Sequence, residues 1–256
     1  MIHIDVSGTG PSVVLLHGWG LHGGVFAPLL PALQQQATVY NVDLPGHGRS
    51  AHVPVLPRLE DWAGQVLDEV PGDAHWVGWS LGGLVALQAA LRAPRQVRSL
   101  TLLASSPCFV RQTDWPHGMA PAVLDGFIGH FQSQYADTVE RFLALDLMTL
   151  PGGQQAAMSL RDALLAVGRP TAEALAGAGR LLQTSDLRPA LPELQVPSLW
   201  LAGQRDRLAP PAAMQAAAAL APGARALTVA GTGHAPFLGD TAAVMQALTE
   251  FHASLS

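Results

Sequence analysis

Seven short β-rich runs recur along this chain, separated by longer stretches, and that rhythm limits the folds open to it. The runs are Ile2–Val6, Ser12–Leu16, Thr38–Val42, His75–Gly78, Ser99–Leu103, Pro197–Ala202 and Ala226–Val229. Several intervening stretches have helical spacing. In Leu59, Trp62, Ala63, Val66, Leu67 and Val70 the apolar residues repeat every three to four positions, with acids on the other face. Strands alternating with helices are joined by crossovers, which predicts an α/β fold: a mostly parallel twisted sheet with helices on both faces. Size and composition suit it, because 256 residues with 49% apolar and only 13% charged side chains can bury one large core.

The alternation stops between about Pro107 and Thr184, where aromatic residues are interleaved with helix-like stretches and no β-rich run occurs. A structureless connection of that length is rare in a compact domain. The segment therefore reads as a helical lid, 107–184, inserted into a core made of 1–106 and 185–256. It is entered at Ser105-Ser106-Pro107 and left before Asp186-Leu187-Arg188-Pro189. Its aromatics Phe109, Trp115, Phe127, Phe131 and Tyr135 are expected to form mainly the lid's own core.

Charge and rare residues narrow the function. The net charge is −5, and all 14 Lys-or-Arg cations are arginines; this net-acidic balance argues against a sequence-wide nucleic-acid partner. Cys108 is alone, so there is no disulfide framework and no thiolate metal cluster; it reads as a small buried thiol. The ten histidines form no H-x-H or HExxH pattern, so no metal and no cofactor are expected. The opening MIHIDVSGTG lacks a cationic stretch followed by an apolar one, and no run is long enough to cross a membrane. The expectation is a cytoplasmic protein acting as a monomer.

The stretch richest in chemistry is Gly78-Trp79-Ser80-Leu81-Gly82-Gly83, which fits G-x-S-x-G between a strand and a helix. A sharp strand-to-helix turn strains its middle residue and presents the Ser80 hydroxyl outward, while Gly78 and Gly82 leave room for the turn. The helix start beside Ser80 supplies backbone N–H groups and a positive dipole end. The bland alternative is a Gly-Ser turn that only joins two elements. A serine nucleophile needs a base and an acid to orient it. His234, between glycine and alanine in Gly231-Thr232-Gly233-His234-Ala235-Pro236, follows the last β-rich run and is the candidate base; otherwise it is a turn histidine bonded to its own backbone. Asp206 in Gly203-Gln204-Arg205-Asp206-Arg207 is the candidate acid; otherwise it is a surface carboxylate paired with Arg205 or Arg207. Leu16-His17-Gly18-Trp19-Gly20 follows the second run, where a loop N–H joins the one after the nucleophile. The backbone amides of Trp19 and Leu81 are the expected oxyanion hole, with His17 structural.

The chain order Ser, Asp, His and the segments around His17, Asp43-Leu44-Pro45-Gly46-His47-Gly48 and Ser80 resemble the α/β-hydrolase superfamily. Ala104-Ser105-Ser106-Pro107-Cys108-Phe109 and Val139-Glu140-Arg141-Phe142-Leu143-Ala144-Leu145 add a narrower likeness. With them the chain resembles the pimeloyl-acyl-carrier protein methyl ester esterases of biotin synthesis over nearly its full length. The resemblance implies a carboxylesterase releasing methanol from a methyl ester borne by a transiently bound acyl carrier protein. It implies Ser80, Asp206 and His234 as the triad, Trp19, Leu21, Trp79 and Phe142 as the acyl channel, and Arg141 on the lid face toward the carrier protein. Lid composition runs against a broadly basic docking surface: Arg111, Arg141, Arg161, Arg169 and Arg180 face seven acids in 107–184. The rival readings are a hydrolase of another small ester, thioester or lactone, and a ligand-binding homologue without turnover.

Overall fold

The structure, a computed structural model, describes residues 1–147 and 150–255. Strands β1 (Ile4–Gly8), β2 (Ser12–Leu16), β3 (Thr38–Val42), β4 (Ala74–Trp79), β5 (Val97–Leu103), β6 (Ser198–Gly203) and β7 (Arg225–Val229) form one sheet. Its order is β1-β3-β2-β4-β5-β6-β7. β1 runs antiparallel to β3, and every other neighbouring pair is parallel. The run expected at Ile2–Val6 slides two residues along the chain, because pairing of Ile4 with Val42 through Gly8 with Thr38 sets its register.

β4 and β6 are buried along their whole length, as a parallel sheet requires when both faces are covered. The helices that do the covering are α1 (Leu30–Leu33), α2 (Leu59–Leu67) and α3 (Leu81–Arg92), then α8 (Pro211–Ala218), α9 (Pro236–Gly239) and α10 (Thr241–Ala253). α3 packs on β2, β4 and β5, and α8 on β6 and β7. The apolar stripe of α2 buries Leu59, Trp62, Ala63, Val66 and Leu67. Trp62, Trp76 and Trp200 are fully enclosed.

Between β5 and β6 the chain forms α4 (Pro121–Ser133), α5 (Tyr135–Leu147), α6 (Gly153–Val167) and α7 (Ala172–Thr184). Where this excursion begins and ends, the Leu187 N–H donates to the Pro107 carbonyl at 2.9 Å, so its two feet are tied together. None of the helices described is long and apolar enough to cross a membrane. Because six strands run in one direction, the loops that follow β2, β4, β6 and β7 gather along one edge of the sheet.

Candidate active site

Ser80 caps the start of α3 with φ 54° and ψ −118°, a left-handed strained backbone held by its neighbours. Its N–H donates to the Leu103 carbonyl at 3.0 Å, and its own carbonyl accepts from the Ser105 hydroxyl at 2.7 Å. The glycines are demanded by close approach. A Cβ on Gly78 would collide with the backbone of Gly82, and one on Gly82 with the carbonyl of Leu16.

The three side chains distant in sequence meet here. The Ser80 hydroxyl donates to His234 Nε2 at 2.9 Å, and His234 Nδ1 donates to Asp206 Oδ2 at 2.9 Å. The other oxygen of Asp206 accepts the N–H groups of Leu208 at 2.8 Å and Ala209 at 3.1 Å. Asp206 thus pairs with His234 rather than with Arg205 or Arg207. Its side chain is wholly buried and that of His234 is 11% exposed. His234 donates nothing to its own turn; its carbonyl accepts from the Trp79 indole at 2.7 Å.

Burial alone pulls the His234 imidazole toward neutrality, yet the charge and hydrogen bond of Asp206, with Asp146 behind them, outweigh it and raise its pKa above 6.5. A base must be neutral to accept a proton, so raising its pKa moves the acid limb of activity upward. kcat/KM on a short free ester should therefore fall as pH drops through a midpoint above 6.5. A pH–rate profile from about pH 5 to 9 checks this, and a midpoint below the ordinary histidine value contradicts it. The same shift favours the folded state most below the unfolded pKa, and that contribution fades as pH rises through the folded one.

The loop after β2 carries the second element. Neither the Trp19 nor the Leu81 N–H has an internal acceptor among the described residues. Two buried histidines brace the loop. His17 donates from Nδ1 to the Gly18 carbonyl at 2.8 Å and accepts the Leu44 N–H on Nε2 at 2.9 Å. His47 donates to the Pro45 carbonyl at 2.9 Å and accepts from the Gly20 N–H at 3.4 Å. Burial holds both at about 3, so they stay neutral and serve as struts. Gly18 has no room for a side chain, because a Cβ would lie 2.8 Å from the Trp79 ring.

Above Ser80 lies a cavity of about 710 Å³ roofed by α4, α5 and α7. Trp19, Leu21, Trp79, Arg141 and Phe142 all line it, as do Ser80, Asp206 and His234. The expectation for the lid's aromatics is corrected at three positions: Phe109, Phe127 and Phe131 also line the cavity, while Trp115 and Tyr135 do not. Phe127 and Phe131 sit four residues apart, so α4 presents both to one side, where their rings meet Trp19 at 5.6 and 4.8 Å. Trp19 also ties the loop to α7, its indole donating to the Leu175 carbonyl at 3.1 Å. Cys108 is buried away from this chemistry, its thiol pushed up chiefly by burial.

Sequence reasoning missed three charged residues of the cavity. Arg205 and Arg207 flank Asp206, and their alternation on a loop gave no sign that both would face the cavity. Asp146 reaches the site from α5. A signal for it existed: it falls on the buried stripe Val139, Leu143, Leu147, where a charge needs a partner.

Residues 11–241 match the family model described as alpha/beta hydrolase fold. The chain is 52% identical over 255 residues to the pimeloyl-acyl-carrier protein methyl ester esterase of Stenotrophomonas maltophilia (strain K279a), covering all of this chain and 98% of that one. It belongs to that esterase family. A second relative of the same name, from Xanthomonas oryzae pv. oryzae (strain MAFF 311018), is 50% identical over 254 residues, covering 99% of this chain and all of that one. The fold is also that of an esterase from Exiguobacterium antarcticum, with a TM-score of 0.86 at 22% identity over 98% of this chain and 94% of that one. This esterase buries its sheet under helices and opens its loops on one edge.

Proposed function

We propose that this esterase hydrolyses the methyl ester of a pimeloyl chain carried on an acyl carrier protein, releasing methanol and a free carboxylate for biotin synthesis. The observation that carries the substrate is identity of 52% to a relative of that name along the whole chain. The cavity suits it, its wall being mostly apolar and aromatic with Ser80, Asp206 and His234 among the polar groups that line it.

In the proposed reaction Ser80 Oγ attacks the ester carbonyl carbon as its proton passes to His234 Nε2. Asp206 holds the imidazole by Nδ1 and stabilises the cation that forms. The Trp19 and Leu81 N–H groups receive the oxyanion, each such donor being worth about 3 kcal/mol in the transition state. The bond to the methoxy oxygen then breaks, that oxygen takes the proton from Nε2, and methanol leaves. Water, deprotonated by the same nitrogen, attacks the acyl-serine, and the acid is released as Ser80 regains its proton. Trp19, Leu21, Trp79 and Phe142 form the acyl channel, and 107–184 acts as the lid over it.

Carrier proteins are acidic and bear a phosphodiester arm, so their recognition calls for unpaired cations near the mouth. Within the lid Arg161 is engaged, pairing with Glu140 at 2.9 Å and Asp162 at 2.8 Å. Arg141, Arg205 and Arg207 line the cavity, and none has a carboxylate within ion-pair range among the described residues. This trio, two of it from the core loop after β6, is proposed to meet the carrier protein. Reversing charge with Arg205→Glu and Arg207→Glu together should lower kcat/KM about tenfold more on carrier-bound ester than on a short p-nitrophenyl ester, chiefly through KM. Equal losses on both would remove these residues from recognition. If wild type turns over only the free ester, the biotin assignment goes with them.

A further inference from the structure

The proposed base of this esterase is held by a side chain from α5, one of the helices that roof the cavity. Asp146, near the end of α5, is 5% exposed and lines the cavity. Its Oδ1 accepts the N–H of Gly233 at 3.0 Å and that of Ala235 at 3.3 Å, the residues on either side of His234. The fit leaves no slack, since a Cβ on Gly233 would lie 2.6 Å from that oxygen. Behind it α5 packs on α9, the turn of helix that follows His234.

We infer that Asp146 is a positioning residue for His234: it fixes the catalytic loop through the two flanking N–H groups and ties the base to the seating of α5 over the cavity. Three groups thereby fix the histidine: Asp206 the ring, Trp79 the carbonyl, Asp146 the two adjoining amides. Lifting α5 away would leave both N–H groups unpaired and remove a negative charge from beside the imidazole. The charged groups facing His234 are Asp206 and Asp146, with Arg141, Arg205 and Arg207 on the same cavity. Burial pushes the Asp146 carboxyl above its ordinary range, against the pull of His234 and the two N–H groups, as expected for a carboxylate enclosed to do this work.

The inference rests on the proposed triad but not on the carrier-protein substrate, so the test uses a short p-nitrophenyl ester with Ser80→Ala as control. Turnover that Ser80→Ala abolishes establishes the triad whatever position 146 does. Asp146→Ala should lower kcat at least about tenfold with KM within about threefold, because a base displaced by a fraction of an ångström costs rate rather than binding. Asp146→Asn keeps an acceptor oxygen and should recover most of that loss. Lacking the charge, it should shift the acid limb of the pH–rate profile to lower pH. If Asp146→Ala does not fold, the limb of Asp146→Asn decides alone. A limb unmoved in Asp146→Asn, or kcat within twofold of wild type in Asp146→Ala, overturns the inference.

Discussion

Alanine at position 80 should cut ester hydrolysis by about 10⁵- to 10⁶-fold while the protein folds as before. The fold is expected to survive because the serine hydroxyl makes its bond to His234 and not to the core, while the elbow is held by backbone contacts that alanine keeps. Both residues carry a Cβ, so the strain at φ 54° is unchanged. What disappears is the oxygen proposed to bond the carbonyl carbon. The residual rate would come from the proposed oxyanion hole of the Trp19 and Leu81 N–H groups and from holding the ester in the cavity. Kinetics on a short p-nitrophenyl ester, with fluorophosphonate labelling as a second readout, decides the matter. Labelling that persists in Ser80→Ala would put the nucleophile elsewhere.

Asparagine at position 206 should lower kcat by about 10⁴-fold, far more than its size suggests. The carbonyl of asparagine can still accept from Leu208 and Ala209, so the loop after β6 should hold its shape. Its amide would then face His234 Nδ1 with donors where an acceptor stood. The imidazole would answer by placing its proton on Nε2, the atom proposed to take one from Ser80, and the charge of position 206 that stabilises the cation would be gone. A melting temperature near wild type beside a collapsed kcat is the expected pair of results. A loss under tenfold would mean that another group orients the ring.

Much of this architecture was legible from the order of residues. Ser12–Leu16 and Thr38–Val42 form strands with the bounds their β-branched runs indicate, and the other strands begin or end within a residue or two of their runs. Gly78-Trp79-Ser80-Leu81-Gly82 was legible because only a strand meeting a helix at close quarters needs two glycines around one serine. β1 was placed two residues early, since its position depends on what it pairs with in β3. The lid's aromatics were harder still. Phe131 is 4% exposed and also lines the cavity, and apolarity alone does not separate packing a core from walling a pocket.

By itself the sequence determined the periodicities, and through them the parallel sheet, the elbow and the loops on which a hydroxyl, an imidazole and a carboxylate would stand. These are local consequences of side-chain shape and backbone preference acting over a few residues. Only the tertiary structure decided that α5 would bring Asp146 against Gly233 and Ala235, that Arg205 and Arg207 would turn toward the cavity, and that Trp19 would bridge to α7. Those contacts join residues as many as 156 positions apart, and their geometry follows from how whole helices settle on the sheet.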